Sequence, residues 1–254
     1  MTGAGGFLGS KIRRHLQADN TASVISVGES LKTYPQTTAA ALSHLGPYDK
    51  DVLVLCGASY YKGNDPAQIA LMRAYNIDYS KLVIDQFVNN RGRRIVCFSS
   101  YMQLYATGTE PYADWYLQTK REVLNYISTE TKASLLNLFI YDNWAVDDPR
   151  PKFVPMLLRT LQEGREFNVP APDTLMDLCD AEALTSTIAS LCLTFDDGMV
   201  SLGTGIPLSL KEVAELFICG LRLEDRVNFG IDVPHHNFIP YTNLTPGLIP
   251  NAKL

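Results

Sequence analysis

Three short apolar runs, set between long stretches of helical periodicity, restrict this chain more than any other feature. Val52-Leu53-Val54-Leu55-Cys56, Arg94-Ile95-Val96-Cys97-Phe98 and Ala133 to Ile140 are nearly continuous in apolar residues, as strands buried on both faces are. Pro66 opens a helical pattern that extends to roughly Asn89, and another spans the region from Tyr112 to Ser128. Before them, a helix carries Leu8, Ile12, His15 and Leu16 on one stripe and stops near Asp19-Asn20. A β-branched run, Ala22 to Val27, follows as a further expected strand. Strands alternating with helices of this length predict a parallel sheet with helices on both faces. Right-handed crossovers then give a doubly wound, Rossmann-type α/β sheet.

The rhythm changes after Tyr141. Pro149, Pro151, Pro155, Pro170 and Pro172 break the chain, and helical segments are expected at about 153–163, 180–194 and 209–222 with short strands between. We read residues 1–145 as the sheet domain. Residues 146–254 are mostly a small α+β lobe, with some segments returning to the sheet. A net charge of -5 with 22 Lys and Arg and no basic run argues against a broad nucleic-acid surface. Cys56, Cys97, Cys179, Cys192 and Cys219 are odd in number and widely spaced, which reads as reduced thiols in a cytoplasm and not a disulfide framework. No CxxC or His-Cys cluster suggests a metal, and no stretch reaches the roughly 18 apolar residues of a membrane span.

Gly3, Gly6 and Gly9 stand three apart where the chain enters its first helix. Glycines there permit a tight turn and close backbone approach to a pyrophosphate, while the helix start offers N–H donors and the positive end of the dipole. The spacing is GxxGxxG, so a flexible glycine-rich start is the plainer alternative. Glu29, 20 residues past Gly9, stands where an acidic residue commonly meets the adenosine ribose; a surface loop residue is the alternative. If Gly28 holds that position instead, with Ser30 and Lys32 nearby, a 2′-phosphate is tolerated. NAD and NADP both stay open.

Tyr116 and Lys120 lie at i and i+4, on one face of a helix. An ammonium beside a phenol favours the phenolate, and such a phenol gives or takes a proton as hydride moves at a carbonyl or alcohol carbon. The alternative is an ordinary surface pair. Ser99 and Ser100 directly follow the strand ending at Phe98, at the strand end where ligands sit in open α/β sheets. Arg150, Lys152 and Arg159 are candidates for a nucleotide diphosphate. Trp115 and Trp144 are candidates for stacking on a sugar or base, with simple packing as the alternative. His235-His236 reads as loop, because adjacent side chains in a strand point to opposite faces.

Together these residues resemble the extended short-chain dehydrogenase/reductase family, in its nucleotide-sugar epimerase/dehydratase branch. The similar segments are Thr2-Gly3-x-x-Gly6-Phe7-Leu8-Gly9, Asp51 through Gly57-Ala58, Asn76, Phe98-Ser99-Ser100 with Tyr105 after them, and Tyr116-x-x-x-Lys120. Pro149-Arg150, Lys152-Phe153-Val154-Pro155, Asp180 and Ser201 through Glu212 continue the likeness in order. It implies catalysis by Tyr116, Lys120 and Ser100. Cofactor contacts fall to Gly3, Gly6, Phe7, Leu8, Gly9, Glu29, Gly57, Ala58 and Lys120, and substrate contacts to Ser99, Tyr101, Asn143 and Arg150. It also implies NAD or NADP, a nucleotide-sugar substrate, and a homodimer through the helices at about 66–90 and 112–128.

The departures are specific. Only Met1 and Thr2 precede Gly3, so the family's first strand is cut to its end, and we expect the natural protein to start upstream. Tyr101 stands where the family has its catalytic Ser or Thr, with Ser100 as the expected substitute. The segment from Ser100 to Tyr116 is short, and Asn143-Trp144 replaces the family's Gly-Pro. Three functions are expected in turn. The first is an NAD(P)-dependent oxidoreductase on a nucleotide sugar, leaning to a 4-keto-sugar reductase because no Asp-Glu pair follows Ser100. The second is a 4-epimerase retaining its NAD. The third is a truncated or degenerate non-catalytic member.

Overall fold

Residues 1–19, 22–27, 42, 44–61, 63–104, 114–169, 171–219, 224–230 and 245–248 are described in a computed structural model of the chain. They form two compact units. The first takes Met1–Ile140 and Thr185–Val200, and the second Tyr141–Leu184 and Ser201–Leu254.

The first unit opens with α1 (Phe7–Ala18), whose buried stripe is Ile12 and Leu16. Strand β1 (Val52–Leu55) follows, then α2 (Pro66–Arg73), a π-helical turn (Ala74–Asp78) and α3 (Tyr79–Asn89) in unbroken succession. Asp65 starts α2 by accepting from the Ala67 N–H at 2.9 Å, with Pro66 at the first helical position, where its missing N–H costs nothing. Strand β2 (Arg94–Ser100), α4 (Asp114–Glu130) and β3 (Ser134–Ile140) complete the repeat. β1, β2 and β3 are parallel neighbours in the register Leu55↔Cys97 and Cys97↔Asn137.

One face of these strands presents Leu53, Leu55, Ile95 and Cys97 to Val83, Ile84 and Phe87 of α3 and to Val123 and Ile127 of α4. Each large apolar side chain so buried stabilises the unit by about 1.5–3 kcal/mol.

Two expectations are corrected. Residues 22–26 form no strand, and Val27 makes only an isolated bridge to Thr2, which itself bridges Leu55. A strand is held by a ladder along its length, and among the described residues this segment has two backbone contacts with Met1, the Val27 N–H donating to Met1 O at 2.9 Å and the Met1 amine donating to Ile25 O, which do not extend into a ladder. Conversely, β2 does not end at Phe98. β3 continues beside it, pairing Ser99 with Phe139 and Ser100 with Ile140, so both serines lie inside the strand.

The second unit contains β4 (Asp142–Trp144), α5 (Phe153–Gln162), β5 (Phe167–Val169) and β6 (Leu175–Asp180). After β6 comes α6 (Ala181–Thr194), which lies in the first unit from Thr185 on, and then β7 (Gly198–Gly203), which begins in the first unit and ends in the second. The second unit goes on with β8 (Pro207–Ser209), α7 (Leu210–Ile218), β9 (Val227–Phe229) and β10 (Thr245–Leu248). The main sheet has the order β1-β2-β3-β7-β10; β4-β6-β8 and β5-β9 form two smaller sheets. Leu157, Leu161, Val169, Ala214, Ile218 and Val227 make the second unit's own core.

Candidate functional site

The glycine turn is shaped by contacts that leave no room for side chains. Gly3 has φ +66, in the left-handed region that favours glycine. A Cβ there would lie 2.5 Å from the Gly57 Cα and N, and one at Gly9 would lie 2.0 Å from the Gly3 carbonyl oxygen. The Gly6 N–H donates to Gly3 O at 3.0 Å, and the Gly57 N–H donates to the Thr2 hydroxyl at 3.2 Å. The turn is therefore pressed against the Gly57-Ala58 corner that ends β1. From it α1 starts on Gly6 with no side-chain cap and no acidic residue in its first turn, which holds Phe7, Leu8 and Gly9. Glu29 lies outside the described residues, as do Gly28, Ser30 and Lys32.

Two residues beyond that corner, Ser59 is gripped by Asn76. The Asn76 Oδ1 accepts from the Ser59 N–H at 2.7 Å, and Nδ2 donates to the Ser59 carbonyl at 2.9 Å and to the Thr119 hydroxyl at 3.0 Å. The π-helical turn places Asn76 in this buried position. π-turns inside α-helices recur at functional sites. Thr119, fully buried, donates its hydroxyl to the Tyr116 carbonyl at 2.7 Å. The network thus fixes the α4 turn that carries Tyr116 and Lys120.

The Lys120 ammonium lies 5.7 Å from the centre of the Tyr116 ring, and the Tyr60 ring meets Tyr116 edge to face at 5.1 Å and 81°. Lys120 is only 8% exposed, yet no carboxylate among the described residues pairs with it. The titratable groups that feel its charge include the thiols of Cys56 and Cys97. Burial pushes the Cys56 thiol up to about 12 and raises that of Cys97, with Lys120 pulling each back. Both therefore stay protonated at neutral pH and do not neutralise the ammonium.

Ser99 turns inward and donates to the Asn137 Oδ1 at 2.7 Å, both side chains being buried. The Asn137 Nδ2 has no partner among the described residues. Ser100 is half-buried; its hydroxyl accepts from the Met102 N–H at 3.3 Å, and its own N–H donates to Gln103 Oε1. Tyr101 opens a short 3-10 turn, Tyr101–Leu104. Tyr105 lies outside the described residues. Sequence reasoning passed over Asn137, although a lone amide inside Leu135-Leu136-Asn137-Leu138-Phe139 is a visible signal. A buried polar group interrupting an apolar strand needs a reason.

In the second unit, Asn143 and Arg150 are brought together, the guanidinium donating to Asn143 Oδ1 at 2.7 Å. The same guanidinium donates two hydrogen bonds to Asp148, at 2.8 and 2.6 Å, whose carboxylate is fully buried. Arg159 donates to the carbonyls of Arg150 and Pro155, and Lys152 stands 3.6 Å from Asp142. These three cations are engaged within the unit. Trp144 packs edge to face on Phe217 at 4.5 Å. Asp180 caps α6, accepting from the Ala183 N–H at 2.9 Å.

Ser209 and Glu212 form a capping box at the start of α7, and the Ser209 N–H and hydroxyl hold the Glu212 carboxyl below its ordinary range. Asp177, also not foreseen, is buried and accepts from Thr204 N–H, Thr204 hydroxyl and Gly205 N–H at 2.6–2.9 Å. His235-His236 lies outside the described residues. Among the described residues no group of His, Cys, Asp and Glu is arranged to hold a metal ion, and no helix is long and apolar enough to cross a membrane.

No protein-family model and no curated protein matches the chain. Solved structures do. UDP-N-acetylglucosamine 4-epimerase from Methanobrevibacter ruminantium superposes with a TM-score of 0.71 at 15% identity, over 97% of this chain and 88% of that one. UDP-glucose 4-epimerase from Thermotoga maritima gives 0.74 at 14%, over 91% and 85%. DesIV, a dTDP-glucose 4,6-dehydratase from Streptomyces venezuelae solved with NAD bound, gives 0.72 at 16%, over 93% and 85%. The chain has the fold of these extended short-chain dehydrogenase/reductase enzymes, as the sequence resemblance implied.

Proposed function

We propose that the chain is an NAD(P)-dependent oxidoreductase acting on a nucleotide-activated sugar. One observation carries this reading. The segment Gly57–Tyr60 touches the glycine turn through Gly57, the Asn76 clamp through Ser59 and the Tyr116 ring through Tyr60. A phosphate-binding turn and a proton-transfer pair are thereby tied by four consecutive residues of one unit.

The residues present fit a dinucleotide. The α1 start is uncapped and free of acidic side chains, as a diphosphate requires, and Lys120 is a buried ammonium without a paired carboxylate. The nicotinamide, when bound, would supply hydride exchange at a sugar carbon. The first-turn amides of α1, Phe7 to Gly9, would hold the diphosphate, with Gly57 and Ala58 beside them. Lys120 would hold the nicotinamide ribose, with its ammonium set over the Tyr116 ring. The Tyr116 hydroxyl would pass its proton to or from the sugar oxygen, which the Ser100 hydroxyl orients. Asn143 and Arg150 stand as contacts to the nucleotide sugar.

Within this class we favour 4-keto-sugar reduction, since Tyr101-Met102-Gln103-Leu104 after Ser100 holds no carboxylate. Epimerisation at C4 is the second reading, favoured by the two epimerases that share the fold. A dinucleotide retained through purification, seen by absorbance, points to epimerisation; NADH or NADPH consumed with a nucleotide 4-keto sugar points to reduction. A thermal-shift series with NAD, NADH, NADP and NADPH tests the reading itself, and no shift with any of them in cofactor-stripped protein overturns it. Tyr116→Phe should lower turnover by about a thousandfold while dinucleotide still binds, and Lys120→Ala should harm both. Wild-type rate in Tyr116→Phe removes the pair from the mechanism. We further propose a cytoplasmic homodimer built through residues 66–90 and 112–128, which light scattering of the purified chain would test.

A further inference from the structure

We propose that Tyr60 is a positioning residue for Tyr116, setting the direction in which the Tyr116 hydroxyl faces the reacting oxygen. This rests on the reading of Tyr116 as the proton-transfer group. Tyr60 is 56% exposed, so burial alone does not explain its placement. Its backbone is placed from one side, because the neighbouring Ser59 is held at both N–H and C=O by the single amide of Asn76. The same amide reaches Thr119, which holds the carbonyl of Tyr116. One side chain therefore sets the backbones of both tyrosines, and their rings meet edge to face at 5.1 Å and 81°.

A tyrosine has two soft side-chain torsions. The Tyr116 ring has the Lys120 ammonium over it and the Tyr60 ring set perpendicular to it, and edge-to-face is the preferred geometry for such a pair. Removing Tyr60's ring leaves Lys120 as the one contact of the two still orienting the phenol. Proton transfer requires the donor within hydrogen-bond reach in the right direction, and misorientation costs rate more than binding. Asn76 and Thr119 fix backbone. Tyr60 acts on the side chain, so its effect should appear in kcat and spare KM.

The test uses protein supplied with NADH or NADPH and a UDP-linked 4-keto hexose as the sugar nucleotide, and ring 13C relaxation on tyrosine-labelled protein, the Tyr116 signal being identified by its loss in Tyr116→Phe. Tyr60→Ala should lower kcat by about fivefold to tenfold with KM unchanged, and should lower the order parameter of the Tyr116 ring. Tyr60→Phe, which keeps the ring and loses the hydroxyl, should restore both. An unchanged Tyr116 order parameter in folded Tyr60→Ala overturns the proposal whether or not this sugar turns over, and so does a raised KM with kcat intact. Full activity in Tyr116→Phe instead overturns the functional reading on which it rests. The two failures are thus separable.

Discussion

Helices α1 and α7 begin in opposite ways. α1 starts on a glycine, with no side chain reaching back to its first amides and no acidic residue in its first turn. α7 starts on a complete capping box, Ser209 accepting from the Glu212 N–H while Glu212 accepts from the Ser209 N–H. The first amides of any helix need acceptors from outside the helix. α7 finds them in its own side chains, while the α1 start carries no side-chain cap. A start that its own sequence leaves uncapped, beside Gly3 and Gly9 where a Cβ has no room, is where the proposed diphosphate would lie; a self-capped start needs no ligand.

The comparison can be broken most severely at Gly9. Gly9→Ala puts a methyl 2.0 Å from the Gly3 carbonyl, and we expect a loss of about 3 kcal/mol by denaturant unfolding, along with dinucleotide binding. Near-wild-type stability would mean the turn is looser than described. Gly6→Asp sharpens the contrast by giving α1 the cap it lacks. Helix stability should hold or rise by a few tenths of a kcal/mol, while affinity for NAD, read by titration calorimetry, falls at least about tenfold from charge repulsion with the diphosphate. Unchanged affinity would remove the helix start from the site.

At the other helix, Ser209→Ala should cost about 1 kcal/mol of stability and leave dinucleotide affinity untouched. The smallest effect is on pH. The folded-state value of Glu212 is depressed by Ser209, so its contribution is present above the ordinary value of 4.5 and is lost as pH falls through the depressed one. Wild type should therefore lose part of its advantage over Ser209→Ala on acidification below 4.5, measured by unfolding at matched ionic strength. A constant difference between the two would argue against the box.

Much of this was legible in the sequence for a physical reason. Strands buried on both faces must be apolar throughout, so β1, β2 and β3 stand out; a turn pressed on backbone must be glycine, so Gly3 and Gly9 do too. What was not legible depends on partners distant in sequence. The run Ala22–Val27 has the composition of a strand, but only Val27 finds a pairing residue. Ser99 and Ser100 look like turn chemistry until β3 is known to extend beside them. The Ser99–Asn137 bond spans 38 residues, and the contact of Arg150 with Asn143 gives no periodic signal. The π-helical turn hides because residues 66–89 keep a helical rhythm on both sides of it.

That turn gives the chain unequal tolerance to a change of length at this point. In a π-turn each N–H reaches back five residues and not four, so the turn takes up one residue that the α-helical phase of α2 and α3 does not count. Deleting one residue between Ala74 and Asp78 would let the segment relax into ordinary helix, with Met72 still buried and Arg73 still facing Glu122. What would go is the bulge, and with it the placement of Asn76 on Ser59 and Thr119. An added residue finds no such slack: each residue of an α-helix turns the next by about 100°, and with Val83, Ile84 and Phe87 anchored in the core, α2 would take the rotation and Arg73 would swing away from Glu122. A shortened chain keeps the frame and loses the clamp; a lengthened one loses the frame.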